Sequence, residues 1–94
     1  MKKPIIIVTE VSQFDLIKKL VNHDKYDLKL IYNHTLAYGY DYDNREVFIF
    51  SPHHMKLMGT YNAIKEYIIS HNGILRVMYF SKFYENEEMK KIFL

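Results

Sequence analysis

The chain contains no cysteine and no tryptophan, and only three glycines and two prolines among its 94 residues. Without cysteine, disulfides, zinc–thiolate centres, iron–sulfur clusters and thiol nucleophiles are all excluded. Small secreted domains commonly depend on such cross-links, so their absence favours a cytoplasmic protein. The scarcity of glycine leaves no glycine-rich loop to hold a phosphate. Long apolar runs are missing too. Ile5–Val8, behind Lys2 and Lys3 and closed off by Glu10, is too short for a signal-peptide core or a membrane span. Nor does one sign of charge dominate. Thirteen Lys and Arg against eleven Asp and Glu give a formal charge of +2, far from the basic excess of most nucleic-acid-binding domains.

What is present describes an ordinary globular chain. Apolar residues make up 49% and charged residues 26%, enough for one modest core and therefore one domain over residues 1–94. Ile, Lys, Asn and Tyr are abundant, and their codons are AT-rich. That bias points to an AT-rich genome, such as that of a phage, an archaeal virus or a low-GC bacterium, and is compatible with an accessory protein of a virus or mobile element working in the host cytoplasm.

The order of elements follows from periodicity and punctuation. Pro4–Thr9 reads as a buried strand of β-branched residues. A helix from Ser12, with Asp15 completing an approximate capping box, carries Phe14, Ile17, Leu20 and Val21 on one stripe and ends near Asn22–Asp24. Tyr26–Tyr32 alternates as a half-buried strand, which Asn33-His34 bends before the extended pattern resumes at Leu36. Asp43-Asn44 suits a hairpin turn into a partner strand, Arg45–Phe50. Ser51-Pro52 opens a second helix that runs to His71 and stops at Asn72-Gly73, with a kink or a delayed start at Gly59-Thr60. Ile74–Phe80 is a further strand, and a last helix begins at Ser81. The sum, βαββαβ with an added C-terminal helix, predicts an α+β, ferredoxin-like fold with an antiparallel sheet.

Tyr38, Tyr40 and Tyr42 alternate ahead of Val47-Phe48-Ile49-Phe50. In a hairpin they form one face of a strand. A two-residue turn pairs Tyr42 with Arg45, Tyr40 with Val47 and Tyr38 with Ile49, and sets Phe48 over Gly39. A three-residue loop instead joins the tyrosines to Phe48 and Phe50. Such a stripe is either a core wall or a binding surface. As a surface, Tyr38, Tyr40, Tyr42, Arg45 and Phe48 fit a protein partner, including a second copy of the chain, because mixed charge surrounds them. Single-stranded RNA or DNA stacking on Tyr38, Tyr40 and Phe48 is the alternative. Against it, Arg45–Phe50 lacks the glycine–aromatic core of the RNA-recognition strand motif, and Ile5–Val8 carries no ring. Phe83, Tyr84, Met89, Ile92, Phe93 and Leu94 form an apolar C-terminal segment that either caps the sheet or docks on another chain. If it caps the sheet, the stacking platform is lost.

Chemistry is thinly signalled. His53-His54 at a predicted helix start is a candidate nucleotide or phosphate site, since free amides there attract anions. Adjacent helical histidines point about 100° apart, which disfavours a shared metal. His23, His34 and His71 lack zinc-ligand spacing. Asp41-Tyr42-Asp43-Asn44 lacks the glycine and the distal glutamate of a calcium loop. No metal, cofactor or catalytic set is therefore expected. The reading is a non-catalytic binding module that acts through protein–protein contacts and modulates a host complex.

Overall fold

The computed structural model describes residues 2–94. Four strands, β1 (Ile5–Val8), β2 (Asp27–Leu30), β3 (Glu46–Phe50) and β4 (Ile74–Met78), form one sheet in the order β2-β1-β3-β4. Every pairing is parallel. This overturns the antiparallel ferredoxin-like expectation. Parallel strands need crossovers instead of hairpins, and the chain supplies three: α1 (Val11–Lys18), the segment 31–45, and α2 (Met58–Ser70). Two short helices, α3 (Phe80–Glu85) and α4 (Glu87–Lys90), replace the single predicted C-terminal helix and lead into a 3₁₀ turn at Lys91–Phe93.

Helices cover both faces of the sheet, so each central strand is buried on both sides. All four residues of β1 are buried, and so are the last four of β3. Near-continuous apolar runs of this kind suit a parallel sheet between two helical layers. On one face, Ile5, Ile7, Val47 and Ile49 pack with Tyr61, Ile64 and Ile68 of α2 and with Ile31, Ala37 and Tyr42 of the long crossover. On the other, Ile6, Val8, Phe48 and Phe50 meet Ile17 of α1 together with Phe83 and Phe93. Phe93 lies edge-on to Phe48 at 5.1 Å and to Tyr26 at 5.3 Å. The Tyr26 hydroxyl donates to the Ile92 carbonyl, and the Asn22 amide donates to the Phe93 carbonyl. The C-terminal segment thus caps the sheet.

The predicted hairpin is absent. Residues His34–Ala37 form a 3₁₀ turn capped by the Asn33 side chain, and residues 38–45 run as loop back to the amino end of β3. The Asp43-Asn44 turn does form, with Asn44 at φ 58° and the Arg45 amide donating to the Tyr42 carbonyl. It feeds β3 without pairing β3 to what precedes it. Helix boundaries shift as well. α1 begins at Val11 behind Glu10, whose side chain makes no capping bond, and it ends at Lys18. α2 begins at Met58, after a 3₁₀ turn at Met55–Leu57, and not at Ser51.

The end of α2 follows its sequence signal closely. Asn72 takes the left-handed conformation at φ 64°. Its amide donates to Ile69 and the Gly73 amide to Ile68, closing a Schellman motif. Gly73 is required there, because a Cβ would stand 2.5 Å from Ile68 Cγ2.

Candidate functional site

In an open parallel sheet, ligands bind beyond the carboxyl ends of the strands, where the strand order reverses. Here that point lies between β1 and β3, beside Thr9 and Glu10 on one connection and Ser51–His54 on the other. The two connections are stitched together. Glu10 Oε1 accepts from the His53 amide at 2.6 Å and from the His54 amide at 2.8 Å. Gln13 Nε2 donates to the Ser51 carbonyl at 3.3 Å. Glu10 is buried, which the two charge-assisted bonds make tolerable. The predicted phosphate position at His53-His54 therefore already holds an oxyanion, and that oxyanion belongs to the chain. The amides sit in a loop ahead of α2 and not on a helix start. Both histidine side chains point away from the core and are exposed, with the His53 ring edge-on to Phe80 at 5.9 Å.

The tyrosine stripe divides. Tyr38 and Tyr40 are exposed, whereas Tyr42 is buried and its hydroxyl donates to the Ala37 carbonyl at 2.8 Å. Burial pushes the Tyr42 phenol up to about 12, with Tyr67 and Tyr40 nearby adding to the rise and Arg45 opposing it. Tyr38 packs on Tyr67 at 4.8 Å, and Lys29 lies over the Tyr40 ring at 4.6 Å. Phe48 is buried on the opposite face of the sheet, under Phe93. Tyr38, Tyr40 and Phe48 therefore share no surface, and the expected five-residue face does not form. Arg45 is a structural residue. Its guanidinium donates to the Lys3 and Asp41 carbonyls and pairs with Asp27 at 2.8 Å, tying the amino ends of β1, β2 and β3.

The free surface lies at β4. Among the described residues it pairs only with β3, along Glu46–Phe50. The Ile74 amide donates to the Arg45 carbonyl, and the Met78 carbonyl accepts from Ser51. In a parallel ladder this fixes Ile74, Arg76 and Met78 as the residues bonded to β3. The N–H and C=O of Leu75 and Val77 then point outward with no strand beside them. The flanking side chains are apolar except Arg76, which is exposed and pairs with Glu46 at 3.5 Å. Ile74 is 45% exposed, Val77 39% and Ile69 of α2 61%. Between α2 and this edge runs a groove of about 340 Å³, lined by Asn62, Lys65, Glu66, Ile69, Leu75 and Val77. The opposite edge differs. β2 carries Asp27 and Lys29, held by Arg45 and covered by Tyr40, and charge of this kind deters strand addition.

No family model, curated protein or solved structure matches the chain. Its function must be argued from its own surface. Among the described residues no His, Cys, Asp or Glu cluster could hold a metal, and no helix is long and apolar enough to cross a membrane. Sequence reasoning missed the β4 edge because exposure of a strand depends on sheet order, which only the crossovers set. Ile74, Val77 and Ile69 were legible as apolar, not as unpartnered.

Proposed function

We propose that the protein is a non-catalytic binding module that acts through protein–protein contacts at the β4 edge, with a second copy of the chain as its partner. The observation that carries this reading is the unpaired Leu75–Val77 backbone flanked by exposed Ile69, Ile74 and Val77. Strand addition to such an edge joins main-chain hydrogen bonds to apolar burial. An antiparallel pair in which Val77 faces its own copy sets Arg76 opposite Met78 of the other copy, so no like charges meet across the strands. The α2 grooves then adjoin, and Ile69 and Leu75 extend the apolar strip.

The interface is mainly apolar and backbone-bonded, so its strength depends weakly on salt. Light scattering over a concentration series tests it. The wild type is expected to pass from monomer to dimer, and Val77→Lys is expected to remain monomeric with an unchanged circular dichroism spectrum. A wild-type mass that stays monomeric throughout, or a Val77→Lys variant that dimerises equally well, contradicts the assignment.

A further inference from the structure

The seam between the β1 and β3 connections is built to hold an oxyanion and holds one of its own. Consecutive amides of His53 and His54 converge on a single Glu10 oxygen, at 2.6 and 2.8 Å. Paired amides of this kind form a backbone nest for anions. The nest lies where a parallel sheet places its ligands. On two residues of the same connections, Thr9 next to Glu10 and Gln13 bonded to Ser51, a buried polar atom has no partner among the described residues: Thr9 Oγ1 and Gln13 Oε1. The Gln13 amide is held in the seam by its bond to the Ser51 carbonyl. Native proteins rarely leave such atoms unsatisfied.

Glu10 also has somewhere else to go. It is the N-cap residue of α1, in an extended conformation, and its side chain makes no capping bond there. The first-turn amides of α1 are left without a side-chain acceptor.

We propose that the His53-His54 nest is a binding site for the phosphate group of a small ligand, and that Glu10 is its resident plug. The incoming phosphate takes the two amides, the Thr9 hydroxyl supplies a further donor, and Gln13 Oε1 accepts from the ligand. The displaced Glu10 carboxylate turns to the first-turn amides of α1, which offsets the cost of leaving the nest. No bond is made or broken beyond hydrogen bonds. This site lies at the carboxyl end of the sheet and is independent of the β4 edge.

Amide NMR with inorganic phosphate as the probe, against chloride at matched ionic strength, tests the exchange. The His53 and His54 amides and the first-turn amides of Ser12 and Gln13 are expected to shift together along one saturating curve. Glu10→Gln keeps an acceptor but removes the competing charge, and it is expected to bind phosphate about tenfold more tightly. His53→Pro deletes one nest donor and is expected to abolish the His54 shift. If phosphate moves neither amide pair in the wild type or in Glu10→Gln, the proposal fails. It fails equally if the shifts scatter over surface lysines without saturating at His53 and His54.

Discussion

At the scale of single residues, a few side chains do work that their sequence neighbours do not. Tyr42 sits between a buried ring environment and a carbonyl partner, with its phenol raised to about 12 by burial first and by Tyr67 and Tyr40 next. A raised phenol pKa favours the neutral form in the folded state. The stability this contributes is complete below the ordinary tyrosine value of about 10. It is lost as pH rises through about 12. Ultraviolet titration of the phenols is expected to show one late tyrosine that disappears in Tyr42→Phe. That variant also loses the hydrogen bond to Ala37, at a cost of about 1 kcal/mol in urea unfolding. Gly73→Ala is expected to destabilise by about 1–3 kcal/mol, because the new Cβ meets Ile68 Cγ2 at 2.5 Å and the Ile68 carbonyl at 3.0 Å. An unchanged urea midpoint contradicts that close approach.

At the scale of elements, legibility depended on whether the signal was local. The stop of α2 was readable, because Asn72-Gly73 encodes a left-handed residue followed by one without a side chain, and both requirements are met within a few residues. β1 was readable from its β-branched run, and β4 from its apolar residues, although the strand ends at Met78 and Phe80 already belongs to α3. The 31–45 crossover was not. Tyr38, Tyr40 and Tyr42 alternate as a strand would, yet Ala37 and Tyr42 turn inward from a 3₁₀ turn and a loop. Alternation is a statement about one dihedral class and carries no information once the backbone leaves it. The uninterrupted apolar runs in β1 and β3 were the available clue to a sheet covered on both faces, and they argue against a half-wet antiparallel sheet. The start of α2 was misplaced because Ser51-Pro52 has the chemistry of a helix start, whereas the amides of His53 and His54 are bound to Glu10, a contact between residues far apart in sequence.

The C-terminal elements give the prediction that belongs to this scale. Phe93 is fully buried against Phe48, Phe50, Phe83 and Tyr26. Phe93→Ala is expected to cost about 3–5 kcal/mol in urea unfolding, a large share of the stability of a domain this size. A loss below 1 kcal/mol, on the same scale of core truncations, means that the segment does not cap the sheet.

At the scale of the whole molecule, the parallel sheet explains why one edge is open. A four-stranded parallel sheet in this order closes both faces with helices but leaves β2 and β4 unpaired outward. β2 is protected by Asp27, Lys29, Arg45 and Tyr40, whereas β4 presents Ile74 and Val77 beside Ile69, with Arg76 and its partner Glu46 as the charged pair there. In the dimer we propose, a second copy of β4 would cover that edge and extend the sheet to eight strands.

The most direct test is hydrogen exchange at the Leu75 and Val77 amides, followed as protein concentration rises. Both N–H groups point away from β3, so in a monomer they exchange quickly, while the inward Arg76 amide exchanges slowly. Strand pairing between copies predicts that Leu75 and Val77 become protected with concentration in the wild type and stay fast in Val77→Lys. Fast exchange at both amides at every concentration, with Arg76 protected throughout, contradicts a β4 interface.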